Sequence, residues 1–403
     1  MNLGNFQNLE TPWGPLLLGL PDNMAGEFRA WDAADELILG CFKDLEPLCG
    51  SVLEPEQVRW VLNDAWGSLG ASLCLAGSTP QWVQDSCLAQ QVYAEQLAQN
   101  SIAGSGSLQS SFVSSDRKGE PQEGVALLKI PKSLDLLKTQ LAQLGVDLEP
   151  GSLVVAGAMV KHLPTTALTV FEQLIGPSQL SRAHKKARLI VARVERPRPA
   201  PTPRAAAFKQ FEDPRVGFPV AIAAGVFGGA RLDPGTALLL QALSAVPALA
   251  TPHSRVVDLG SGNGVIGAWC AVRSPDAEVA LIDDSAQAVA ASAETIALAL
   301  GASHTRAQAM WGSELGALES HLGWAPGSVD LIVTNPPFHL GHSVSDETAW
   351  RMFVDSHRVL RDGGQLWVVG NRHLGYHAKL RRLFGNVENV ASDPKFVVLC
   401  ATR

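Results

Sequence analysis

The run Asp330-Leu331-Ile332-Val333-Thr334-Asn335-Pro336-Pro337-Phe338-His339 delivers Asn-Pro-Pro-Phe at the end of a short apolar stretch. Those residue types suit one kind of chemistry, in which a planar NH2 group is held in line for methylation. The lone pair of an exocyclic base amine, or of a carboxamide, is delocalised and attacks poorly. If the Asn335 side-chain oxygen and the Pro336 carbonyl each accept one N–H, the nitrogen is aimed at the incoming methyl by orientation and electrostatics, without a strong base. Two successive prolines lock φ and keep the preceding residue extended, so the carbonyl has little freedom to leave the site. Phe338 offers a flat face for a base taken out of its stack. Taken alone, the tetrad also fits an ordinary strand followed by a Pro-Pro turn.

A second motif narrows the choice. Val256-Val257-Asp258-Leu259-Gly260-Ser261-Gly262-Asn263-Gly264 is a strand running into a glycine turn ahead of the apolar helix Val265–Val272. Such a turn lets backbone N–H groups approach a ligand at a helix N-terminus. Further on, Val279-Ala280-Leu281-Ile282-Asp283 ends a second strand in an acid, where ribose hydroxyls are expected. The pattern fits a dinucleotide or S-adenosylmethionine, and the downstream Asn335-Pro336-Pro337-Phe338 favours the methyl donor. Upstream, Gly225-Val226-Phe227-Gly228-Gly229-Ala230-Arg231-Leu232-Asp233-Pro234-Gly235-Thr236 precedes a Leu-rich helix, Ala237–Leu243. This segment reads either as a plain loop or as a flexible stretch lying across the donor's methionine end, and the second reading makes Phe227 and Asp233 donor-binding candidates.

These motifs need a scaffold, and the chain is long enough for two. It has 403 residues, 46% of them apolar and 18% charged, an ordinary globular composition. The proline-rich stretch Glu195–Ala207 excludes helix and central strand, and so divides residues 1–194 from residues 208–403. Asn100–Gly124 is Ser- and Gly-rich and reads as a loop. The halves echo each other in order. Arg59–Gly70 resembles the strand and glycine turn at Arg255–Gly264; Ala126–Lys132 stands where the second half runs into Asn-Pro-Pro; Leu148–Gly157 matches Leu360–Gly370. Pairing Asn63 with Asp258 sets Ala65 against Gly260 and Leu69 against Gly264, while Ile130 and Ser133 face Asn335 and Phe338. The first half thus has the scaffold without the site. The expected fold is α/β, two tandem class I (Rossmann-like) methyltransferase domains with the N-terminal one degenerate.

The rest of the composition sets bounds. A formal net charge of −7 argues against a protein that coats nucleic acid non-specifically, although local basic faces remain at Arg182, Lys185, Lys186 and Arg188 and around Arg372, His373, His377, Lys379, Arg381 and Arg382. We take Lys185, Lys186, Arg188, Arg372 and His373 as RNA-contact candidates; a solvated helix face is the other meaning of such runs. Six cysteines without C-x-x-C spacing indicate neither zinc nor a disulfide framework, and no metal is expected. No leader or membrane-spanning run is seen, so the expected location is cytoplasmic.

The second half resembles class I S-adenosylmethionine-dependent methyltransferases of the ribosomal RNA small-subunit guanine-N2 group. The whole chain is similar to the ribosomal RNA large subunit methyltransferase G family, from Ala30-Trp31-Asp32-Ala33-Ala34-Asp35 to Asn371-Arg372-His373-Leu374 and Lys395-Phe396-Val397-Val398-Leu399. The resemblance implies methylation of N2 of one guanine in 23S rRNA by an active C-terminal domain joined to an inactive N-terminal one. Carried over by motif, it implies donor contacts from Asp258, Gly260, Gly262 and Gly264, a ribose contact from Asp283, and guanine contacts from Asn335, Pro336 and Phe338. Where relatives tend to have Asn after the third strand, Ala309-Met310-Trp311 stands here, and no adenine-reading side chain is named. The expected partner is protein-free 23S rRNA and the expected state a monomer. Two other readings stay open: transfer to another planar amine (16S rRNA guanine N2, adenine N6 or protein glutamine), and a non-catalytic RNA-binding assembly factor.

Overall fold

The structure is a computed structural model that describes residues 3–22, 29–43, 48–102, 108–109, 120–195, 208–244, 246, 254–337 and 342–403. Phe338 and most of the proline-rich stretch, residues 196–207, lie outside the described residues. The chain divides into two compact units, Met1–Ala207 and Phe208–Arg403.

Each unit is built in the same order. In the second, a short antiparallel hairpin (Lys209–Phe211 with Val220–Ile222) and the helix Pro234–Leu243 precede a seven-stranded sheet. Its strands are, in spatial order, Ala307–Trp311, Glu278–Asp283, Arg255–Leu259, Val329–Thr334, Leu360–Asn371, Phe396–Thr402 and Glu388–Ser392. The first five are parallel, and Phe396–Thr402 runs antiparallel beside Leu360–Asn371. The near-continuous apolar strands follow from burial on both faces: Val256 joins one core cluster and Val257 the other. Strand order reverses between Arg255–Leu259 and Val329–Thr334, so a crevice opens at their carboxyl ends, the usual place for a ligand in such sheets.

The first unit repeats this plan: a hairpin (Leu3–Thr11 with Gly14–Pro21), the helix Ala33–Gly40, and seven strands. In spatial order these are Leu108–Gln109, Gln81–Val83, Val58–Leu62, Val125–Lys129, Leu153–Met159, Ala187–Arg193 and Ser178–Leu180. In both sheets the strands, counted along the chain, lie in the order third, second, first, fourth, fifth, seventh, sixth. Two tandem domains of one topology are therefore present, as the three sequence echoes implied.

The helix expected over Ala237–Leu243 starts earlier, at Pro234, with Asp233 as its cap. Proline at the first helical position loses no hydrogen bond, and the Asp233 carboxylate accepts the Thr236 N–H at 2.9 Å. Cys41, Cys49, Cys74, Cys270 and Cys400 are buried and Cys87 is half-buried. Among the described residues no helix is long and apolar enough to cross a membrane, and no group of three or more His, Cys, Asp or Glu is placed to hold a metal ion.

Candidate active site

The crevice of the second unit is floored by the glycine turn. Gly260, Gly262 and Gly264 all take left-handed φ, at +72°, +56° and +77°. Gly264 has a packing reason to be glycine as well, and Gly260 does not. A Cβ on Gly264 would stand 2.7 Å from the Ser292 Cα, and one on Gly260 3.4 Å from the Met352 methyl. Gly262 differs: among the described residues, its chain neighbours aside, no atom lies within 4 Å of an added Cβ.

Two carboxylates hold the turn. Asp258 is fully buried; its Oδ2 accepts the Gly267 N–H at 2.7 Å, tying the strand end to the first turn of the helix Val265–Arg273. Burial pushes its carboxyl up to about 7 against that hydrogen bond, and Oδ1 has no hydrogen-bond partner among the described residues. The motif implies that Asp258 touches the donor directly, but a carboxylate at 0% exposure braces the turn from below instead. Asp283, at the end of the neighbouring strand, accepts the Gly262 N–H at 2.8 Å and the Ser285 N–H at 2.9 Å. Trp311 stands in register beside it and donates its indole N–H to the Asp284 carbonyl at 2.7 Å.

Asn335 follows the strand Val329–Thr334, whose Thr334 is in register with Leu259. The strand brings Asn335 to the crevice side by side with the glycine turn. Its amide nitrogen donates to Thr236 Oγ1 at 3.0 Å and to Asp233 Oδ2 at 3.3 Å. Its Oδ1 is buried and has no partner among the described residues. Such an acceptor is costly to bury unsatisfied and marks a place where a donor is missing. Pro336 is buried behind it. The Gly225–Gly229 segment lies against the turn: a Cβ on Gly228 would be 3.4 Å from Asn263 Nδ2, and the neighbouring Phe227 is 53% exposed. Thr236 is the site residue that sequence reasoning missed. Nothing in a threonine three residues into a helix signals a partner 99 positions away.

The first unit's crevice corrects the sequence pairing. The Asn63 N–H bonds to the Val83 carbonyl as the Gly260 N–H bonds to the Ile282 carbonyl, and Gly67 caps its helix at φ +80° as Gly264 does at +77°. Asn63 therefore corresponds to Gly260, Ala65 to Gly262 and Gly67 to Gly264; Asn63 itself takes φ +59°, which asparagine tolerates. Leu62 pairs with Leu128 where Leu259 pairs with Thr334, so Lys129, not Ile130, holds the place of Asn335. The Lys129 ammonium bonds Asp32 Oδ1 at 2.7 Å and Asp35 Oδ2 at 2.8 Å, on the capping turn of Ala33–Gly40. Burial works against its charge, yet the two carboxylates hold its pKa above the ordinary lysine value. Asp35, buried, is pushed up to about 6. What remains of the crevice is about 160 Å³, lined by Arg29, Trp31, Trp66 and Asp64 beside this ion cluster.

The basic candidates are dispersed. Lys185 and Lys186 sit on a loop at φ +45° and +64°, exposed, with Lys185 paired to Glu36 at 2.8 Å. Arg188 is half-buried and donates to the Ser181 carbonyl. In the second unit Arg372 and His373 are exposed on the turn Arg372–Leu374, and Arg372 donates to the Asp393 carbonyl at 3.1 Å.

Comparison with known proteins gives the chain's relatives. A family model described as Methyltransferase small domain matches residues 217–400, and one described as RLMG N-terminal domain matches residues 7–196. The chain is 41% identical over 401 residues to the Ribosomal RNA large subunit methyltransferase G of Streptomyces avermitilis, covering 98% of this chain and 99% of that protein. It is 40% identical over 399 residues to the protein of that name from Pseudomonas aeruginosa PAO1, covering 98% and 99%. Among solved structures, the T. thermophilus 16S rRNA N2 G1207 methyltransferase in complex with AdoMet and guanosine aligns at a TM-score of 0.72, covering 99% of this chain and 98% of that one. At 20% identity that likeness shows the fold alone.

Proposed function

The chain belongs to the ribosomal RNA large subunit methyltransferase G family, and from that premise we propose that it methylates the exocyclic N2 of one guanine in 23S rRNA, using S-adenosylmethionine. The observation that carries the reading is the buried Asn335 Oδ1 beside the glycine turn, which has no hydrogen-bond partner among the described residues. An acceptor so placed suits a planar NH2 that has two N–H bonds to give.

The residues present fit the donor. Gly262 offers a cradle that a Cβ would fill, Asp283 stands at the strand end where ribose hydroxyls bind, and Phe227 and Asp233 border the crevice at the other side. S-adenosylmethionine supplies an electrophilic methyl on a sulfonium. In our reading Asn335 Oδ1 and the Pro336 carbonyl accept the two N–H bonds of the guanine amine, so its nitrogen is aimed at that methyl. The two acceptors would stabilise the positive charge that the amine nitrogen gains on accepting the methyl, and its surplus proton would leave to water. Phe338, outside the described residues, is assigned the stacking face. Asp258 acts through the turn it braces, and Gly260 and Gly264 give that turn its shape.

N2 lies on the Watson–Crick edge, so the guanine must be lifted out of any duplex at a cost of a few kcal/mol. We assign the N-terminal unit to gripping RNA around the target, with Lys185, Lys186 and Arg188 as its phosphate contacts, and Arg372 and His373 as those of the second unit. Such a grip favours protein-free 23S rRNA over assembled subunits, and a protein with this substrate works in the cytoplasm as a monomer. Side-by-side assays with labelled donor should show faster labelling of protein-free 23S rRNA; faster labelling of intact large subunits would remove that part of the reading.

In our reading the N-terminal unit binds no donor. Ala65 stands for Gly262, and the Lys129 cluster occupies the ground of Asn335. Calorimetric titration of the full chain with S-adenosylmethionine should give one site per chain. A stoichiometry of two would show that the first unit has kept its site.

A further inference from the structure

An asparagine amide can present either end to a substrate, and only the oxygen end is of use to an amine. In the Asn335 site that choice is made by two acceptors. Asp233 Oδ2, 3.3 Å from the amide nitrogen, can only accept, so a flipped amide would set Asn335 Oδ1 against a carboxylate oxygen. Thr236 Oγ1, at 3.0 Å, makes the shorter bond, and Thr236 is 4% exposed. With the nitrogen tied twice, Oδ1 is the atom turned away from the capping turn, and it is the atom left without a partner among the described residues.

The two acceptors belong to one turn. Asp233 caps the helix Pro234–Leu243 and accepts the Thr236 N–H at 2.9 Å, which fixes the threonine relative to the carboxylate. The first unit repeats the arrangement with other chemistry: Asp32 and Asp35, also the cap and the residue three later, hold Lys129 in the place of Asn335. Contact from this capping turn to the end of the fourth strand is thus a feature of the fold that each copy has filled differently.

We propose that Thr236 is a positioning residue for methyl transfer, which with Asp233 holds the Asn335 amide so that Oδ1 faces the substrate amine. This rests on the role proposed for Asn335 above. Asp233 is a poor residue to test, because its loss also uncaps the helix. Thr236→Val removes only the hydroxyl and keeps the β-branched shape.

The test uses the full chain, protein-free 23S rRNA and S-adenosylmethionine, in the wild-type and Asn335→Ala backgrounds. Thr236→Val should lower kcat about tenfold, the effect of losing one ordinary hydrogen bond, with donor Kd and the unfolding midpoint nearly unchanged. Thr236→Ser, which restores the hydroxyl, should recover kcat to within about threefold. In the Asn335→Ala background Thr236→Val should have no further effect on kcat, because a residue acting only through Asn335 has nothing left to hold. An unchanged kcat in Thr236→Val, or an equal drop in both backgrounds, would overturn the proposal. The wild-type product nucleoside reports separately on the reading of the site: transfer to an amine other than guanine N2 would overturn that reading, while the Thr236 comparison would still decide the clamp.

Discussion

Asn335→Ala lowers the turnover number roughly 100-fold or more, while S-adenosylmethionine affinity stays within about twofold of wild type. The size follows from what is removed. A fixed acceptor aimed at developing charge in a water-poor site contributes about 10²–10³ in rate, because it needs no reorganisation as the reaction proceeds. Alanine also leaves Thr236 Oγ1 and Asp233 Oδ2 without the N–H they share, but both lie on the capping turn and Asp233 keeps the Thr236 N–H, so the fold has little to lose. In our reading the donor is held chiefly by the glycine turn and Asp283, none of which the Asn335 amide bonds to, which is why its affinity should survive. Single-turnover rates and equilibrium binding separate the two effects. Turnover equal to wild type would remove Asn335 from the mechanism, and a large loss of donor affinity would make it a donor ligand instead.

Gly262→Val should abolish measurable donor binding, a loss of more than about 100-fold. Two causes add here. At φ +56° a β-branched residue is strained by roughly 1–2 kcal/mol, and its side chain would start in space where, among the described residues beyond its chain neighbours, no atom lies within 4 Å of the Cβ. That space is the part of the crevice assigned to the donor. The strain alone can be measured elsewhere: Gly323, at φ +65° and also without protein atoms within 4 Å of its Cβ, ends the helix Gly316–Leu322. Gly323→Val should lower the unfolding midpoint about as much as Gly262→Val and leave donor binding intact. Normal calorimetric binding by Gly262→Val would contradict the placement of the donor over this turn.

Much of this was legible in the sequence because the informative residues are close along the chain. The strand, glycine turn and helix from Val256 to Val272 carry their own signals in apolar runs and glycines, and an acid at the end of the next strand needs no tertiary context to stand out. Asp233 and Pro234 also carry the signature of a helix start, although the glycines before them draw the eye to a loop. What was hidden depends on register. Matching the apolar runs of the two halves sets Ile130 against Asn335, whereas strand pairing, Leu62 with Leu128 as Leu259 with Thr334, places Lys129 there. The Lys129 cluster, which explains how the first unit fills its crevice, could not be seen until Asp32 and Asp35 were brought to it from 97 positions away in the case of Asp32. Thr236 was hidden for the same reason. Asp258 misleads in the opposite sense, since a carboxylate at a strand end looks the same in sequence whether it meets a ligand or, as here, an amide of the following helix.

The most direct test of the central claim is the identity of the methylated nucleoside. Protein-free 23S rRNA lacking its own modification is incubated with the full chain and S-adenosylmethionine labelled in the methyl group, then digested to nucleosides and separated. The label should elute as N2-methylguanosine, at about one methyl per 23S rRNA, and Asn335→Ala should form the same product far more slowly. Label in N6-methyladenosine, or label in protein with none in RNA, would contradict the central claim.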